Sequence, residues 1–103
     1  MAARKMLIIF VDETDTWEDL PLYEAIVRRL ARAEVAGATV LAGIMGFGSH
    51  QKVHHKRLFG ISDDRPVTIL AVDTEEKIRR AVGIVRGMVK GEGLIVTLDV
   101  EVA

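Results

Sequence analysis

Residues Met6–Val11 form an uninterrupted apolar run rich in Ile and Val, bounded by an acidic stretch that begins at Asp12. Six residues are too few for an ordinary helix, so the run is read as a strand. From about Pro21 to Ala36 the apolar positions Leu22, Ile26, Leu30 and Ala33 recur at helical spacing, with Glu24, Arg28, Arg29 and Arg32 on other faces. Pro21 suits a first helical turn, the preceding acids suit the positive end of the helix dipole, and Gly37 is the expected stop. Ala38–Met45 then alternates, with Val40, Ala42 and Ile44 on one side and Thr39, Leu41, Gly43 and Met45 on the other. Val67–Val72 is a further apolar run, entered through Pro66. Asp73 with Glu76 has the spacing of a capping box, and behind it Ile78, Ala81, Val82, Val85, Met88 and Val89 trace a helical stripe that ends near Gly91. After Gly93, Leu94, Val96, Leu98, Val100 and Val102 alternate with Ile95, Thr97, Asp99 and Glu101, the period of a strand.

The order is βαββαβ. That order predicts an α+β, ferredoxin-like sandwich: a four-stranded antiparallel sheet with two helices on one face, in one domain spanning residues 1–103. Two helices cover one face of such a sheet. The first and third strands, however, are apolar on both faces, and the second carries Leu41 and Met45 on its far side. A bare apolar sheet face is a liability in a monomer, so the pattern predicts a homo-oligomer with the sheet faces packed inward.

Composition narrows the classes of function. Fourteen Lys and Arg against fifteen Asp and Glu give a net charge of -1, which removes a general case for nucleic-acid or polybasic membrane binding. The strand Val67–Val72 also lacks the aromatics with which an RNA-binding version of the fold would stack bases. Cysteine is absent, so thiolate metal sites, disulfides and thiol nucleophiles are excluded, and the composition fits a reducing cytoplasm. A spanning helix needs about 20 apolar residues, and no run approaches that, so no direct membrane insertion is expected.

Local chemistry concentrates between Gly46 and Pro66, a connection far longer than the usual ~4–6 residues. No acid occurs from Val35 through Ser62, while the same stretch holds Lys52, Lys56, Arg57 and all three histidines, His50, His54 and His55. Gly46-Phe47-Gly48 at its root offers backbone N–H groups unobstructed by side chains, which with nearby cations fits an anion site. The glycines have neither the Walker spacing nor the dinucleotide fingerprint. His50, His54 and His55 are the sole candidate metal cluster, and a solvated basic loop is the plainer reading. Ser49 beside His50 is adjacency rather than triad geometry, so no catalytic residue is assigned. Asp12, Glu13, Asp15, Glu18 and Asp19 read as a solvated, helix-capping loop, with a ligand or partner contact as the second reading. Gly83 and Gly87, four apart on the second helix, permit close approach by another chain or are a tolerated weakness.

The segments Gly37-Ala38-Thr39-Val40 and Gly46-Phe47-Gly48, with Lys52, resemble the strand leading into the T-loop of PII signalling proteins. Gly91-Glu92-Gly93-Leu94-Ile95-Val96 is similar to the PII turn after the second helix. Pro21-Leu22-Tyr23-Glu24-Ala25-Ile26-Val27, Gly43-Ile44-Met45-Gly46-Phe47-Gly48, Pro66-Val67 and Val72-Asp73 resemble the PII-like family called domain of unknown function 190, nearly end to end. The resemblance implies a non-enzymatic, regulatory homotrimer that binds an adenine nucleotide in clefts between subunits. Thr39, Gly46, Phe47 and Gly48 would line one wall, and the N–H groups around Gly91 and Gly93 the other. Lys52, His54, His55, Lys56 and Arg57 would ride on the loop and change position with ligand.

Where PII proteins place Gly-Asp-Gly-Lys, this chain has Gly91-Glu92-Gly93-Leu94, and its loop has no tyrosine for nucleotidylylation. The missing lysine favours AMP or ADP over a triphosphate. Asp19 stands where glycine is usual after Asp15, so that loop receives no family role. The implied partner is an ion transporter or an enzyme. Two alternatives from other classes are a metal-binding ion-tolerance trimer using His50, His54 and His55, and an enzyme acting on a phosphorylated small molecule with His54 or His55 as acid and base.

Overall fold

A computed structural model describes residues 1–47, 65–91 and 93–103. The chain runs β1 (Ala2–Asp12), β2 (Thr16–Trp17), β3 (Leu20–Pro21), α1 (Leu22–Arg32), β4 (Thr39–Ala42), β5 (Pro66–Asp73), α2 (Glu75–Arg86) and β6 (Leu94–Val102). The main sheet has the order β4-β5-β1-β6, every pairing antiparallel, as the βαββαβ pattern requires. Its helix-side face supplies Leu7, Ile9 and Val11 from β1 and Val67, Ile69 and Ala71 from β5. These meet Leu22, Ala25, Ile26 and Leu30 of α1 and Ile78, Ala81 and Val85 of α2 in one buried core.

The register fixes what the other face carries. Met6 lies opposite Val72 and Leu98, Ile8 opposite Leu70 and Val96, and Phe10 opposite Thr68 and Leu94, while Leu41 pairs with Thr68. Directly opposed residues share a face, so these side chains form one continuous apolar surface. Neither α1 nor α2 covers it: Phe10 is 42%, Leu41 50%, Leu94 56% and Leu98 41% exposed. Beyond the Lys5–Asp73 pair, Ala2–Arg4 and Val100–Val102 continue as a two-stranded ribbon past the end of β5. That extension is one reason the molecule measures 48 × 29 × 20 Å.

Several boundaries differ from the sequence expectation. Helix α1 ends at Arg32 rather than near Gly37, because a residue without the usual glycine takes the left-handed position. Glu34 has φ 63, its N–H donates to the Ala31 carbonyl, and the Val35 N–H donates to the Leu30 carbonyl. This is a Schellman motif, in which apolar Val35 returns to the core side. The capping-box reading of Asp73 and Glu76 is also corrected. Thr74 is the N-cap of α2 and accepts the Lys77 N–H, while Asp73 ends β5. One carboxylate oxygen of Asp73 accepts from Thr74 N–H at 2.7 Å and the other from Ala36 N–H at 2.9 Å. Asp73 thereby ties the exit of α1 to the entrance of α2. Helix α2 stops at Arg86 with Gly87 as its C-cap, short of Gly91. The second strand is confined to Thr39–Ala42, and the acidic segment holds the β2–β3 hairpin where a loop was expected.

Two outcomes follow. Burial pushes the Asp73 carboxyl up, but the Thr74 and Ala36 N–H groups, with the Lys77 and Arg4 charges, outweigh it and hold the group below its ordinary value. A depressed folded pKa contributes stability that is complete above the unfolded value of ~3.9 and is lost as pH falls through the folded one. Asp73→Asn should therefore cost about 2 kcal/mol at neutral pH. In urea titrations across pH, the gap from wild type should close below about pH 4. Glu34→Gly, by contrast, should raise the unfolding free energy by about 0.5–1 kcal/mol, because glycine occupies the left-handed C′ position without a Cβ penalty.

Candidate functional site

The antiparallel order brings four chain ends to one end of the sheet. The end of β1 and the start of β5 meet at Asp12 and Pro66, the start of β6 meets β1 at Leu94 and Phe10, and β4 ends at Ala42 beside Val67. Both glycine-bearing segments noted in the sequence emerge here. Gly43 donates its N–H to the Pro66 carbonyl at 2.7 Å, and the chain then runs through Gly46 to Phe47. A Cβ on Gly43 would lie 2.7 Å from Pro66 Cγ, and one on Gly46 would lie 3.1 Å from it. These glycines let the chain cross the proline ring closely. Phe47 is 69% exposed at the margin of the described residues.

The second turn sits at the opposite edge. Gly91 has φ 67, a conformation glycine takes without strain, and a Cβ on Gly93 would fall 2.0 Å from Val89 Cγ1 and 3.3 Å from the Phe10 carbonyl oxygen. Each of these glycines thus has a local packing or backbone reason apart from any ligand. With β4 and β6 at opposite edges and strands ~4.8 Å apart, three spacings put roughly 14 Å between the two glycine segments of one chain. Thr39, exposed at the start of β4, belongs to the same edge as Gly46. The structure therefore groups Thr39, Gly46 and Phe47 on one edge and Gly91 and Gly93 on the other, and does not join the two sets within a chain. Gly48, His50, Lys52, His54, His55, Lys56 and Arg57 lie outside the described residues. Among the described residues there is no group of three or more His, Asp or Glu side chains placed to hold a metal ion, and no helix is long and apolar enough to cross a membrane.

One feature of this end was not read from the sequence. The β2–β3 hairpin pairs Trp17 with Leu20 and Thr16 with Pro21, leaving Glu18 and Asp19 as a two-residue turn. Its base is tied by the Asp12 N–H to Asp15 Oδ2 at 3.0 Å and by the Leu22 N–H to the Asp15 carbonyl at 2.7 Å. An open cleft of about 450 Å³ separates the hairpin from the end of α2, lined by Asp15, Thr16, Trp17, Glu18, Leu22, Met88, Val89 and Lys90. The Lys90 ammonium stands 5.9 Å from the centre of the Trp17 ring. A two-residue turn between Trp17 and Leu20 was the available signal, but five acids in eight residues masked it.

The packing reading of Gly93 has a direct check. Gly93→Ala should lower stability by about 1–3 kcal/mol through overpacking, and Val89→Ala in the same chain should restore part of that loss. Thermal melts of the two single variants and the double variant measure this.

Comparison with known proteins places the chain among small relatives of similar length. The family model DUF190, described as "Uncharacterized ACR, COG1993", matches residues 4–102. A UPF0166 protein of Methanocaldococcus jannaschii is 36% identical over 102 residues, covering 99% of this chain and 94% of that protein. Among solved structures, CPII from Thiomonas intermedia K12 bound to ADP and bicarbonate superposes with a TM-score of 0.74 at 22% identity, covering 98% of this chain and 89% of that one. CPII bound to ADP, AMP and bicarbonate gives a TM-score of 0.71 at 20% identity, covering 99% and 97%. That protein is described as a nitrogen regulatory PII-like protein.

Proposed function

The chain belongs to the DUF190 family, and from that premise we propose that it is a non-enzymatic, PII-like regulatory protein that binds AMP or ADP at the subunit boundaries of a homotrimer. The observation that carries this reading is the placement of the two glycine segments at one end of the sheet but on opposite edges. A cleft with both as walls needs the β4 edge of one copy and the β6 edge of another. The uncovered apolar face supplies the force that brings copies together. Thr39, Gly46, Phe47 and Gly48 form one wall, and backbone N–H groups around Gly91 and Gly93 approach the phosphates from the neighbouring copy. Lys52, His54, His55 and Arg57 add positive charge from the 46–66 loop. The fold shared with CPII, a protein solved with ADP, AMP and bicarbonate, supports an adenine nucleotide as the ligand.

Leu94 in the position of the PII lysine leaves one cation fewer for a third phosphate, which favours AMP or ADP over ATP. Occupancy of the cleft reorders the loop, and the loop presents the signal to a cytoplasmic target, an ion transporter or an enzyme.

Isothermal calorimetry with AMP, ADP, ATP and cyclic AMP tests the reading. The expected result is micromolar binding of AMP or ADP at close to one site per chain. Gly48→Val should weaken it at least tenfold, about 1.4 kcal/mol, without changing the mass of the assembly. Silence toward all four nucleotides, with zinc or copper binding lost on replacing His50, His54 and His55 by Ala, would contradict it and favour the metal-binding alternative.

A further inference from the structure

We propose that the cleft between the β2–β3 hairpin and the end of α2 binds a small organic cation, an alkylammonium or guanidinium group on a short apolar stem. The proposal differs from the nucleotide reading in that all its residues come from one chain and it uses the Lys90 side chain, whereas the nucleotide wall uses backbone N–H groups around the adjacent Gly91 and Gly93. The cleft's volume, about 450 Å³, falls in the ~300–1,000 Å³ range of small-molecule sites. Its chemistry is that of a cation site. One wall is the Trp17 indole, whose face attracts positive charge, and the chain's own Lys90 ammonium already stands over that ring at 5.9 Å. Asp15 and Glu18 bring two carboxylates to the lining against the single ammonium of Lys90, so an incoming anion meets net repulsion and an incoming cation net attraction. Val89, partly buried, lies over the core residues Leu22 and Met88 and gives the cleft an apolar floor that suits an alkyl stem rather than a hydrated metal ion.

Lys90 is then a tethered stand-in that the ligand displaces from the indole. Its hold is weak, since an exposed cation–π contact contributes only about 0.5–1 kcal/mol. Glu18 sits at φ 54 in the two-residue turn, the positive-φ conformation such a hairpin requires, and lines the cleft from there. Asp15 is held in place by the Asp12 N–H, and the pairing of Trp17 with Leu20 fixes the strand that carries the indole, so two elements of the site are built before any ligand arrives.

Trp17 is the only tryptophan in the chain, so intrinsic fluorescence reports this cleft directly. The experiment titrates the full-length protein with agmatine and with tetramethylammonium at constant ionic strength, with sodium phosphate as the anionic counterpart. The expected result is a saturable change in Trp17 emission with the organic cations and none with phosphate. Lys90→Met, which removes the competing charge but keeps an apolar stem, should tighten agmatine binding about threefold (~0.7 kcal/mol). Glu18→Gln should weaken it by a similar factor. Glu18→Gly should weaken it while raising the melting temperature, a combination that damage to the fold does not produce. The proposal is overturned by the absence of a saturable change up to about 10 mM cation. A saturable response to phosphate, or affinity unchanged in both Glu18 variants, overturns it equally.

Discussion

The structure depends on how a sheet with two apolar faces is kept from water. β1 and β5 place Leu7, Ile9, Val67 and Ile69 toward the helices and Met6, Ile8, Leu70 and Val72 away from them. The first set is closed by α1 and α2. The second set, extended by Phe10, Leu41, Leu94 and Leu98, has no cover among the described residues, and each half-exposed Phe or Leu leaves on the order of 1 kcal/mol of burial unrealised. An apolar surface that spans all four strands is large for a monomer's exterior and characteristic of a contact between copies. The association we propose would follow from the same alternation that builds the core.

That constraint also explains where a ligand site can form. Antiparallel pairing sends the β4–β5 connection and the α2–β6 turn out of the same end of the sheet, and the β4-β5-β1-β6 order sends them to opposite edges. A single chain therefore holds the two glycine segments roughly 14 Å apart. On the function we propose, packing of copies through the open face joins them into one cleft and links ligand binding to assembly. The hairpin cleft around Trp17 is different in kind, since one chain supplies its aromatic wall, its carboxylates and its apolar lining.

Much of this was legible in the sequence, for physical reasons that differ from element to element. The strands and helices are marked by their period, and the two-faced apolar pattern of Met6–Val11 and Val67–Val72 implies a sheet face that two helices do not cover. Boundaries were less legible because they depend on tertiary contacts. Asp73 looked like a cap, yet its carboxylate is drawn to the Ala36 N–H, 37 residues away in sequence. Glu34 gave no hint of a helix stop, because its left-handed conformation is enforced by the return of Val35 to the core rather than by its own preference. Gly46 and Gly93 read in the sequence as openings for a ligand, while the structure adds that Pro66 and Val89 already fill the space beside them. The candidate site was half legible. Its glycine turns were visible as motifs, but their division between two edges is a property of strand order, which no local pattern encodes.

Sedimentation equilibrium of the wild-type protein at micromolar concentration tests the central claim, that copies of the chain close the second sheet face. A mass three times the 11.4 kDa of the chain is the predicted result. A species of 11.4 kDa that stays monomeric across that range would contradict it, because the apolar face would then stand in water and the two half-sites would remain apart.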